Sequence, residues 1–211
     1  MTVEPQMCDA DRLPPDLRRL LEELDATEAR AAALAQGVSD AQLNWQPSNG
    51  RAWSIGQNLS HLARTNEIYA EAMSSALDRL GSNAPVRRGT LRLGFADRLL
   101  LRIVEPPVRL KFRAPAKAIP AEHRSGDEVL REFRSAHERI RTVVSRATGV
   151  ECGLVSFPHP FFRLLSVKLS SCLAVIPAHN RRHLWQAHRV TESAGYPGAP
   201  AGLDHWDIVH S

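Results

Sequence analysis

His179 and His183 stand four residues apart in the run Ala178-His179-Asn180-Arg181-Arg182-His183-Leu184-Trp185-Gln186. On a helix, that spacing stacks two imidazoles on one face. The neighbours say which face. Leu165, Leu169, Cys172, Ile176, His179, His183, Gln186 and Val190 recur at alternating intervals of four and three, the apolar stripe of an amphipathic helix. Both rings therefore fall where a bundle would place leucine. A buried polar ring without a partner costs about 1–3 kcal/mol, so two on one core face call for a reason. A metal ion supplies one, because neutral imidazole is a common ligand and two rings at this spacing reach a single ion. Two histidines seldom hold an ion alone. The best third ligand is His61, which lies beside a core stripe on a strongly predicted helix. The alternative reading is two satisfied core histidines, with His61 at the boundary and bonded to water or backbone. Other chemistries lack their residues. Asn180 stands where an H-E-x-x-H zincin needs glutamate. There is no paired E-x-x-H for a di-iron bundle, no glycine-rich phosphate loop and no G-x-S-x-G.

Four helices must position these side chains. Pro14, Pro15 and Asp16 open the first, which runs at helical spacing through Leu17, Leu20, Leu24, Ala31 and Leu34 to Gln36, where Gly37 stops it. Ser39 caps a short turn of helix, and Trp45 to Gly50 reads as a loop. Ser54 and Gln57 form a capping box for the second helix, which carries His61 and extends to about Leu80. Phe95 to Val104 predicts a separate apolar helix ended by Pro106 and Pro107. Ser125 or Asp127 caps the third long helix, and Gly149 ends it. His137 neighbours its stripe as a surface or boundary residue. The fourth is expected from about Arg163 to Ala194, with a kink at Pro177. No segment reads as a good strand. The fold class is thus all-α, a four-helix bundle whose long link between helices two and three permits departure from simple up-down order. One domain is expected over 1–211, with its core at about 14–194 and a Gly- and Pro-containing surface tail, 195–211, for which Trp206 offers a docking side chain.

Composition bounds the rest. Apolar residues at 43% and charged residues at 24% suit a soluble globular protein. No apolar run is long enough to span a bilayer, and Met1 to Leu13 is no signal peptide. Three distant cysteines, Cys8, Cys152 and Cys172, suggest a reducing compartment and hence a cytoplasmic location. Arg87, Arg88, Arg92, Arg98, Arg102, Arg109, Lys111 and Arg113 make one segment basic. With Phe95 and Phe112 isolated, no stacking platform interleaves it, so it is read as a solvated face; neither nucleic acid nor membrane is expected as a partner.

The motifs also resemble a known family. Trp53-Ser54-Ile55-Gly56-Gln57-Asn58-Leu59-Ser60-His61-Leu62 resembles the W-S/T-x6-H-L signature of the DinB/YfiT-like superfamily. His179-Asn180-Arg181-Arg182-His183-x-x-Gln186 resembles its H-x-x-R-H-x-x-Q signature, and Pro158-His159-Pro160 its HP segment. Phe162 stands near where that segment usually carries glycine, and Pro177 is unusually close to the histidines. The resemblance covers about Leu17 to Ala194. It implies a four-helix bundle that holds one divalent ion (zinc, nickel, iron or manganese) through His61, His179 and His183. It further implies a small-molecule substrate, a low-molecular-weight thiol as co-substrate, and a homodimer as one possible assembly. Members include thiol-dependent transferases, such as bacillithiol transferases and mycothiol-dependent maleylpyruvate isomerases, and metal-dependent hydrolases. The expectation is a thiol-dependent S-transferase, with a hydrolase or a non-catalytic metal-binding stress-response protein as alternatives. No catalytic residue is assigned; Glu67 and Gln186 are candidate general bases by helix phase alone.

Overall fold

In the computed structural model, Pro15 occupies the first turn of α1 (Pro15–Gln36), where its missing N–H costs nothing, and Gly37 follows the last turn. The structure describes residues 13–107, 113–120, 122–162 and 164–198. Cys8, Arg109, Lys111, Phe112, Arg163 and Trp206, all singled out in the sequence, lie outside them. A Ser39 capping box starts α2 (Asp40–Asn44). The next segment, α3 (Pro47–Gly50), is a tight turn in which Ser48 and Asn49 take left-handed backbone angles.

The Ser54 capping box then opens α4 (Ile55–Leu80). Ser54 Oγ accepts from the Gln57 N–H at 3.1 Å, and Gln57 Oε1 accepts from the Ser54 N–H at 3.0 Å. After a long link carrying α5 (Phe95–Val104), Ser125 and Glu128 form the equivalent box for α6 (Gly126–Arg146). An antiparallel hairpin, β1 (Ser156–Pro158) with β2 (Ser166–Lys168), leads into α7 (Leu169–Thr191).

α1, α4, α6 and α7 form the bundle. α4 packs along α6 and α7, and α1 packs along the same two, so the diagonals are α1 with α4 and α6 with α7. Cross-helix pairs give the directions. Asp78 meets Arg146 and Glu67 meets Arg139, so α4 and α6 are parallel. Glu28 meets Arg134 and Asp25 meets Arg141, so α1 and α6 are antiparallel. α1 and α7 run parallel, because Leu17 and Leu24 share a cluster with Leu169 and Ile176, while Leu34 shares one with Leu184 and Val190. The result is up-down-down-up. The departure from simple up-down order falls on the long link, as expected, because that link joins the parallel helices α4 and α6; α2 and α3 carry one crossing of a diagonal and the hairpin region the other.

The core has two apolar clusters, one around Leu17, Met73, Ile140 and Leu173, the other around Leu34, Leu59, Phe133 and Leu184. Between them the interior turns polar. Asn66 donates to Asn180 Oδ1 at 3.0 Å, and the Asn180 amide donates to His137 Nε2 at 3.0 Å. His137 has no exposed surface, which corrects its reading as a boundary residue. Its stripe neighbours Phe133 and Ile140 carry it inward. Burial, with Arg141 adding to it, pushes the His137 pKa down to about 4. The ring is therefore neutral, and its 3.6 Å approach to Glu28 is not an ion pair at neutral pH.

Three further expectations change. Leu165 belongs to the hairpin and is exposed, so the apolar stripe of α7 begins at Leu169. The hairpin is itself a strand pairing where none was expected: only three residues pair on each side, too few to show alternation. Arg87 is not on a solvated face, because its guanidinium is largely enclosed and bonds Asp16 at 2.5 Å, tying the link to α1. Pro177 lies inside α7, as its place in the sequence predicts.

Candidate metal centre

α4 carries His61 in its second turn, and α7 carries His179 and His183 in its middle. Antiparallel packing of the two helices brings the three rings together. Ring centres lie 4.4 Å apart for His61 and His183, 4.6 Å for His179 and His183, and 5.3 Å for His61 and His179. Their ligand nitrogens all lie within 4.8 Å of one another. Bonds of about 2 Å to one ion place such nitrogens about 3–4 Å apart, which small ring rotations reach. His61 and His183 are buried, while His179 keeps part of its edge at the surface.

The hydrogen bonds say which nitrogens are bare. His61 Nδ1 lies 2.6 Å from the Ala118 carbonyl, which only accepts, so Nδ1 carries the proton and Nε2 is left as a lone pair. His183 Nδ1 lies 3.1 Å from Asn58 Oδ1. The Asn58 amide has one possible orientation, since its Nδ2 donates to the Ser54 carbonyl at 2.9 Å. His183 is therefore also protonated on Nδ1 and bare on Nε2. An outer acceptor on one ring nitrogen with the other left free is the arrangement found behind metal-bound histidines.

Charge favours the same outcome. Burial lowers the His61 pKa against the raising effect of the Ala118 carbonyl. Burial pushes His179 down to about 3, helped by His61 and Arg182. His183 is driven well below its usual value by burial, then by His179, His61 and Arg182. All three rings are neutral at pH 7, the form that binds metal. Arg182 is the charged side chain that helps to lower both His179 and His183. Trp53 closes one side, its ring 4.8 Å from His61 and 5.9 Å from His183.

The three histidines chosen from the sequence thus meet, and the candidate bases do not join them equally. Glu67 is exposed, pairs with Arg139 and lines a groove between α4 and α6. Gln186 is half-buried nearly one turn beyond His183. His188 lies near Glu192 at the end of α7. Asn58, Ala118 and Arg182 were not singled out as site residues. Asn58 had a signal, since it lies three residues before His61 and so shares its side of α4. Ala118 had none, because it acts through a backbone carbonyl on a distant link.

The bundle brings three imidazoles together in its interior, a group that could hold a metal ion. The chain belongs to the DinB superfamily, whose sequence profile matches residues 23–187. Its fold is similar to that of YfiT from Bacillus subtilis, described as a probable metal-dependent hydrolase with an unusual four-helix bundle topology. That match has a TM-score of 0.54 at 15% identity and covers 90% of this chain and 92% of the other. No curated protein matches the sequence. Among the described residues, no helix is long and apolar enough to cross a membrane.

Proposed function

We propose that the protein is a metal-dependent enzyme that binds one divalent ion through His61, His179 and His183 and transfers a small thiol to an electrophilic substrate. The observation that carries this reading is the set of three clustered neutral imidazoles beside Arg182, a cluster that no carboxylate joins among the described residues. An uncharged donor set leaves a bound ion its full positive charge, which stabilises a substrate thiolate or acidifies water. The chain's own residues favour the first. A thiol gives up its proton more readily than free water and is the stronger nucleophile once ionised, and Glu67, the candidate base for water, lines a different groove. Arg182 adds positive charge and favours an anionic partner. Trp53 shields one side from water, and the partly exposed edge of His179 marks the approach. In the transfer, sulfur forms a bond to the electrophilic carbon, the leaving group departs with its electron pair, and the thiol proton passes to solvent.

Hydrolysis is the second reading, favoured by the description of YfiT. The metal-loaded protein assayed with low-molecular-weight thiols and electrophilic acceptors separates the two. Metal-dependent consumption of free thiol supports transfer. Turnover of ester or amide substrates without thiol overturns it in favour of hydrolysis.

A further inference from the structure

The two buried ligands are not oriented in the same way. His61 leans on a backbone carbonyl, that of Ala118, which no side-chain change removes. His183 leans on a side chain, and that side chain belongs to the opposite helix. Asn58 is 2% exposed, and both ends of its amide are engaged. Nδ2 is committed to the Ser54 carbonyl in the first turn of α4, and Oδ1 faces His183 Nδ1. Ser54 is in turn fixed by its reciprocal capping bonds with Gln57. The path from the N-terminus of α4 to the His183 ring is thus a chain of hydrogen bonds in which each donor and acceptor is determined.

From this geometry we propose that Asn58 is a positioning residue that holds His183 as the Nδ1–H tautomer and aims its bare Nε2 at the ion. The proposal rests on the metal reading above and adds to it. α4 then serves the site twice, with His61 as a ligand and with Asn58 as the acceptor that orients a ligand on α7. Without that acceptor nothing holds the proton on Nδ1, and the Nε2–H tautomer turns an N–H towards the ion. Loss of such an outer partner lowers metal affinity by about 10–100-fold.

The test compares Asn58→Leu, which keeps the size and removes the acceptor, with Asn58→Asp, which keeps an acceptor at the same place. Zinc and nickel affinities are measured by competition with a chromophoric chelator, alongside the melting temperature of each metal-free protein. The expected result is a 10–100-fold loss for Asn58→Leu and recovery to within a few-fold of wild type for Asn58→Asp. Equal affinity in wild type and Asn58→Leu overturns the proposal. So does an equal loss in both variants that tracks a fall in metal-free stability, since Asn58 would then be structural. Nitrogen-15 NMR of the metal-free wild type gives a reading that needs no variant: His183 is expected as Nδ1–H, and an Nε2–H signal overturns the proposal. Failure of the wild type to bind either metal counts against the metal reading itself, whereas binding that is insensitive to Asn58 counts against this inference alone.

Discussion

Each of the three histidines is expected to be indispensable to metal binding, because three ligands leave no spare. His61→Ala, His179→Ala and His183→Ala should each weaken affinity by more than the roughly 100-fold upper range for losing an outer partner. His137→Ala and His188→Ala should leave it within a few-fold, as measured by the same chelator competition; undiminished binding in His61→Ala would remove the third ligand. His137 has a different readout. Its native pKa is about 4, against about 6.5 when unfolded. Between those values the unfolded chain binds more protons, so stability rises with pH there. The contribution, about 3 kcal/mol, is complete above pH 6.5 and lost as pH falls towards 4. In metal-free protein, His137→Leu should flatten the dependence of urea-unfolding free energy on pH by about one proton near pH 5; an unchanged slope would mean that His137 is already charged. The histidine pair on α7 was legible because His179 and His183 interrupt an apolar stripe at a spacing that a helix explains. The burial of His137 was not, because a histidine flanking a stripe gives no hint of the Asn180 amide that bonds its Nε2.

The helices were readable where local chemistry decides them. Ser54 with Gln57, Ser125 with Glu128 and Ser39 with Gln42 announce their own N-termini, and all three boxes form. Ser54 is also buried and its carbonyl holds Asn58. Ser54→Ala should therefore cost about 1–2 kcal/mol of stability in chemical denaturation, and a loss below about 0.3 kcal/mol would show that the cap is dispensable. Readability failed where tertiary contacts decide. The start of α7 was placed too early because Leu165 fits the stripe by spacing, yet residues 166–168 pair with β1 instead. The long link was legible as the place where up-down order breaks, but the two diagonal crossings had no signal in the sequence. Link length says which connections can span a diagonal, and only packing shows which do.

At the level of the whole molecule, the two apolar clusters fill the bundle on either side of the polar waist without any contribution from the metal site. The fold should then stand without metal. Chelation should leave helical circular dichroism intact at room temperature. It should lower the melting temperature by about 5–10 °C from a solution holding metal at one hundred times its dissociation constant, where linkage adds about 2.7 kcal/mol. Loss of helix on chelation would instead make the ion structural. The most direct test of the central claim is elemental analysis of protein purified without chelator or a metal-affinity step, followed by titration with zinc, nickel, iron and manganese. The expected result is about one ion per chain, present on isolation or taken up on titration, and lost in His61→Ala. A wild-type chain that carries no metal and binds none of the four would contradict it.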